Sequence, residues 1–182
     1  MDGPLPPRSL QADLDELADS VVETLIEAQQ YGTCVIVTNA ETGWIDLTAR
    51  RFLPSLEREI RGIRQISARS LFEPLGVRTP FEWKERAFEM VIHQFYSNMP
   101  DNTVRHVISL GDSAHERDAL LKVCGSYECA VKTRCKSLKF MERPDLEHLK
   151  KQHSLIRQCM AQIASHPEPL DLCIQTSPPS PK

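Results

Sequence analysis

The sequence predicts an α/β domain: a mostly parallel β-sheet covered by helices on both faces. Three observations lead there. Short apolar, β-rich runs alternate with longer stretches of helical periodicity, in the order α-β-α-β-α-β-α-β-α. Strands separated by helix-length segments run parallel, because each helix carries the chain back to the start of the next strand. The run Val107–Leu110 also stops at Gly111-Asp112, with a helical pattern directly behind it. In open α/β sheets ligands bind beyond the carboxyl ends of the strands, so that junction is where chemistry is expected.

Taken in order, residues 1–8 are Pro-rich and read as a disordered arm. Leu10, Leu14, Leu17, Val21, Leu25 and Ala28 recur three or four residues apart, which predicts a helix from Ser9 to about Gln30. Gly32 ends it, and Thr33–Val37 (TCVIV) reads as a strand closing at Thr38-Asn39. A second helical pattern spans Gly43 to about Ile60, with a bend expected at Pro54. Ile63–Ala68 is strand-like, and Phe72–Thr79 reads as a loop.

The next helix is the best marked. Thr79-Pro80-Phe81-Glu82 combines an N-cap Thr, a Pro in the first helical position and a Glu three residues after the cap. It is expected to reach about Ser97. After the turn cluster at 98–102 come the third strand and a helix from Ala114 to about Val123. Ala130–Phe140 reads as a fourth strand. A last helix runs from about Pro144-Asp145 to Ser165, and a Pro-rich tail follows. The expected division is an arm at 1–8, one α/β domain at 9–166 and a tail at 167–182, where Ser177-Pro178 and Ser180-Pro181 resemble proline-directed phosphorylation sites.

The chain has 182 residues and a formal charge of −3, which argues against a general nucleic-acid or membrane-surface binder. No apolar run reaches membrane-spanning length, and the first residues carry no secretory signal pattern. The six cysteines, Cys34, Cys124, Cys129, Cys135, Cys159 and Cys173, form no C-x-x-C pair and no zinc-finger spacing. They are read as free thiols of a cytoplasmic protein.

Among candidate site residues, Lys84 shares a helical stripe with Phe88, Val91 and Phe95, so it faces the core. It also sits in the first turns of its helix, where the dipole disfavours a cation. A lysine placed against both preferences either meets an anion there or snorkels from the core edge. Asp112, ending its strand, suits a metal-binding or phosphate-facing carboxylate. Glu116 can serve beside it or close a capping box from Ser113; the two roles are compatible. His115 between them reads as a surface residue. Thr38 and Asn39 could hold a phosphate oxygen or simply make a turn. Lys132, Arg134 and Lys136 alternate along the fourth strand, which favours protection of a sheet edge over an anion-binding ridge. Trp44, Trp83, Phe88, Phe95 and Tyr96 are assigned to helix packing.

A strand ending in Thr, a later lysine near the start of a helix, and a strand ending in Gly-Asp with a second acid nearby together resemble the haloacid dehalogenase superfamily. The segments VIVTNAETGWIDL, SARSLFEPLGVRTPFEWKERAF, VISLGDSAHERDAL and KSLKFMERP are similar to a subgroup of it from protists and algae. The resemblance covers about Leu17 to Ile174. It implies a three-layer α-β-α sandwich on a Rossmann-like sheet and phosphatase-type hydrolysis through an aspartyl-phosphate. It also implies roles: Thr38 and Lys84 on the transferred phosphoryl group, and Asp112 with Glu116 on Mg²⁺. The implied ligand is a phosphorylated small molecule or a phosphoprotein.

The superfamily's first motif, a strand ending in Asp-x-Asp that supplies the nucleophile, is not matched. Asp13-Leu14-Asp15 has the spacing, but no β-rich run precedes it and Leu14 belongs to the helical stripe. The chain is therefore expected to lack the central first strand and to be inactive as written, with weak Mg²⁺ binding or none. Either the sequence is shortened at its amino end, the favoured reading, or the two flanking strands pair directly, or a partner supplies the strand. The alternative function is a non-catalytic binding module on the same fold, and the expectation is of a pseudoenzyme or a fragment.

Overall fold

A computed structural model describes residues 6–100, 102–126 and 133–174. In chain order the elements are α1 (Arg8–Gln29), β1 (Val35–Thr38), α2 (Trp44–Phe52), α3 (Pro54–Ile60), β2 (Arg64–Ser67) and α4 (Ala68–Phe72). After a 3₁₀ turn at Glu73–Leu75 come α5 (Pro80–Tyr96), β3 (Arg105–Gly111), α6 (Ala114–Ser126), β4 (Thr133–Lys139), α7 (Leu146–Ser165) and β5 (Leu170–Cys173). The chain is mixed α/β, as predicted. It divides into two compact units where the sequence suggests one domain: Met1–Ser67 with Pro144–Ala164, and Ala68–Arg143 with Ser165–Lys182.

In the first unit β1 and β2 pair in parallel, from Val35 opposite Arg64 to Thr38 opposite Ser67. The stripe of α1 buries Leu17 and Ala18, and α7 buries Ile156, Met160 and Ile163. Lys150 of α7 bonds Glu16 of α1 at 2.8 Å, and Arg157 pairs with Glu23. The helix expected over Gly43–Ile60 is two helices rather than one bent one. Leu53 leaves helical geometry (φ −138°, ψ 58°) because Pro54 has no N–H to give, and Pro54 then opens α3.

In the second unit β3, β4 and β5 form an all-parallel sheet with β4 in the middle. Its core gathers Ile92, Leu120, Val123, Cys124 and Cys135, against which Phe88, Tyr96, Val107 and Leu121 pack. Three expectations change here. The tail expected from Pro167 begins later, because Leu170–Cys173 forms β5, paired from Lys136↔Leu170 to Lys139↔Cys173. The loop expected to start at Phe72 is preceded by a short helix, α4. Edge protection by the fourth strand's basic residues does not hold: β4 is central and Lys136 is 0% exposed, so its ammonium is packed inside. Lys132 lies outside the described residues, as do Cys129 and the Ser-Pro sites of the tail.

The aromatic assignment holds for Trp83, which is buried with Nε1 donating to Val77 O at 2.8 Å. It does not hold for Trp44 and Phe95, which are 46% and 44% exposed. β1 and β3 are both poorly covered for a parallel sheet, which ordinarily buries its strands. All four residues of β1 are half-buried, and no residue of β3 is fully buried, whereas β4 buries Thr133, Cys135, Lys136, Ser137 and Leu138. Among the described residues no helix is long and apolar enough to cross a membrane, and Cys34, Cys124, Cys135, Cys159 and Cys173 are free thiols.

Candidate functional site

The carboxyl end of β3 is built by two helix starts. The Gly111 carbonyl accepts from Phe140 N–H at 2.7 Å, which carries the β3–β4 ladder to its last residue. The chain then turns through Asp112 and Ser113 into α6. Ser113 Oγ accepts from His115 N–H at 3.1 Å, and the Ser113 carbonyl accepts from Glu116 N–H at 3.2 Å. This is a local serine turn and not the expected capping box, because the Glu116 carboxylate goes elsewhere. His115 is exposed, as expected.

The second helix start is that of α5, whose capping box is as predicted. Thr79 Oγ1 accepts from Glu82 N–H at 3.2 Å, and Glu82 Oε2 accepts from Thr79 N–H at 3.1 Å. A further hydrogen bond from the Thr79 hydroxyl holds the Glu82 carboxyl below its usual range. With the helix pinned at that point, Lys84 falls on the buried face beside Trp83 and Ala87 and is 2% exposed. It does not snorkel. Lys84 Nζ donates to Glu116 Oε1 at 2.5 Å and lies 5.9 Å from the Phe88 ring centroid. The anion that its position called for is supplied by this chain.

Glu116 is held from its other side as well. It lies directly over Gly111, where an added Cβ would come within 2.9 Å of Glu116 Cδ, so only a residue without Cβ leaves room for the carboxylate. Gly111 is a site residue that the sequence reading passed over; its one signal is a glycine immediately before a strand-end acid. Asp112 stands outside the pair, exposed and without a side-chain hydrogen bond or ion pair among the described residues.

Thr38 lies in the other unit. Its Oγ1 accepts from Ala40 N–H at 3.0 Å, and Ser67 Oγ donates to the Ala40 carbonyl at 2.6 Å, so the end of β1 is an ordinary side-chain-supported turn. Of the three expected site residues in the second unit, Lys84, Asp112 and Glu116, the structure joins Lys84 and Glu116 to each other.

The resemblance implies Mg²⁺ at Asp112 and Glu116, and these residues do not fit it. A divalent cation needs free carboxylate oxygens. Glu116 Oε1 is taken by a buried ammonium, and among the described residues no group of three His, Cys, Asp or Glu side chains could hold a metal. Tyr96, assigned to helix packing, does pack against the core, and its hydroxyl has a further role that nothing in the sequence marks. Its hydroxyl donates to the His106 carbonyl and accepts from His106 N–H, both at 3.0 Å. No family model, no curated protein and no solved structure matches this chain.

Proposed function

We propose that this chain is a haloacid-dehalogenase-like, phosphatase-type domain, on a three-layer Rossmann-like plan, that does not itself hydrolyse phosphate esters. The closed Lys84–Glu116 pair carries that reading. A lysine that stabilises a transferring phosphoryl group must offer its ammonium to an incoming anion. Here the Glu116 carboxylate 2.5 Å away already meets the ammonium, and the Lys84 side chain is almost without exposure. The Asp-x-Asp spacing at Asp13 and Asp15 supports the same reading, since both lie on α1 and not at a strand end, and the Asp15 carboxylate accepts from Gln11 Nε2 at 2.8 Å. A phosphorylated small molecule or a phosphoprotein remains the ligand class that the resemblance supplies.

The test is p-nitrophenyl phosphate hydrolysis with Mg²⁺. The expected rate is that of the buffer alone, and removing Mg²⁺ with a chelator leaves the melting temperature unchanged. Turnover that survives Asp13→Asn and Asp15→Asn but disappears in Asp112→Asn would overturn this reading.

A second reading, a binding module that takes up an extended strand, is favoured by one observation. The outer side of β3 has no hydrogen-bonded strand among the described residues, although β3 is seven residues long and carries Val107, Ile108 and Leu110.

A further inference from the structure

In a parallel ladder, alternate residues turn both backbone polar groups to the same side. The Gly111 carbonyl bonds toward β4, so Arg105, Val107, Ser109 and Gly111 face β4. His106, Ile108 and Leu110 face the outer side, and the Tyr96 hydroxyl on the N–H and C=O of His106 fits that parity. Tyr96 thus caps the first outer rung, and among the described residues the rungs of Ile108 and Leu110 have no such side-chain cap.

The side chains along this edge are accessible. Val104 is 49% and Leu110 36% exposed, His106 and Asp112 are exposed, and Ile108 is half-buried. Natural sheets guard such edges with lysine, proline or a bulge. None stands at Ile108 or Leu110. The edge is also charged in opposite senses at its two ends. Arg105 lies at the amino end, with Arg134 of β4 opposite His106, and Asp112 follows the carboxyl end. Burial, and after it the charges of Lys136 and Arg134, depress protonation of the His106 imidazole.

We propose that this edge is a homodimer interface, in which β3 pairs antiparallel with β3 of a second copy about a two-fold axis at Ile108. The proposal rests on the binding-module reading and names its partner. Centring on Ile108 sets Leu110 opposite His106 of the second copy and brings Asp112 beside its basic end. Parallel pairing would bring like ends together, which disfavours it. The antiparallel arrangement is isologous and closes at two copies, so it explains how an unguarded edge avoids growing a fibre. The contact is a single seven-residue strand, well short of the roughly 1,200 Å² of a standard interface, so the dimer is weak and concentration-dependent.

Sedimentation equilibrium on the full chain, from low micromolar to near-millimolar concentration, reads this directly. The mass rises from 20.7 kDa toward twice that, and Leu110→Lys and Ile108→Pro hold it at the monomer value. Proline is tolerated where an edge N–H faces outward, and Leu110→Lys remains as the test if Ile108→Pro does not fold. Amide hydrogen exchange separates this proposal from the reading beneath it. Fast exchange at Ile108 and Leu110 in the dilute monomer, with protection at high concentration, supports the dimer. Fast exchange with a monomer at every concentration overturns the dimer and leaves the binding-module reading standing. Protection already present in the dilute monomer, or a dimer that persists in Leu110→Lys, overturns the proposal; the first of these also removes the binding-module reading.

Discussion

The carboxyl ends of β1 and β3 both carry polar groups that resemble phosphate contacts, and each end occupies its groups differently. At β1 the partner is local: Thr38 Oγ1 meets the N–H of Ala40, two residues on. At β3 it is distant: Glu116 meets Lys84 across 32 positions, with the lysine inside the core. A turn hydrogen bond contributes about 1 kcal/mol and can be replaced by water. A buried ion pair is a balance of large opposing terms, weak as a pair yet costly to halve, because either survivor is left charged and poorly solvated. Two strand ends that look alike in sequence therefore differ in what they put at stake: one is a turn, the other a structural lock.

The largest expected effect separates the two ends. Glu116→Gln leaves Lys84 buried without its carboxylate and should lower the unfolding free energy by about 3 kcal/mol. Adding Lys84→Met removes the charge and should restore most of that loss. Urea midpoints for the two singles and the double close the cycle. A single-variant loss below about 1 kcal/mol would put the pair in the same class as the Thr38 turn and dissolve the contrast.

Gly111→Ala sharpens the same contrast at smaller scale. The new methyl group would press on a carboxylate that Lys84 holds in place, an overpacking that costs about 1–3 kcal/mol. In a Lys84→Met, Glu116→Ala background the obstacle is gone and the cost should fall to a fraction of that. A cost that persists undiminished would show that glycine is needed there for some reason other than Glu116.

These effects divide along what a sequence can reveal. Local signals were legible: the α5 capping box and the helix of α1 follow from neighbours within a turn, and Pro54 marks where the next helix is disturbed, although a full break replaces the expected bend. The conflict at Lys84, a cation on an apolar stripe near a helix start, allows an anionic partner or a snorkelling side chain, and the structure shows the first. The anion's identity was not legible, because Glu116 had an equally good local use as the partner of Ser113, and only the fold decides between them. The basic residues of β4 misled because alternation gives their face and not their place in the sheet, which depends on β5. That strand is four residues long, follows Pro167 and Pro169, and is recognisable only once its pairing with Lys136–Lys139 is seen. Tyr96 read as packing because its role is carried by the hydroxyl, which caps a backbone rung on a strand ten residues away.

The smallest effect tests the other end. Thr38→Val keeps the shape and the β-branching that suits a strand, so it removes little besides the acceptor for Ala40 N–H. Ala40 is only half-buried, so water can take up that N–H, and the Ser67 hydrogen bond to the Ala40 carbonyl still holds the turn. The expected loss is about 1 kcal/mol or less by urea denaturation, with unchanged chemical shifts beyond residues near the turn. A loss approaching that of Glu116→Gln would mean that the Thr38 hydroxyl organises more than its own turn. The end of β1 would then have to be regarded, like that of β3, as a fixed polar site.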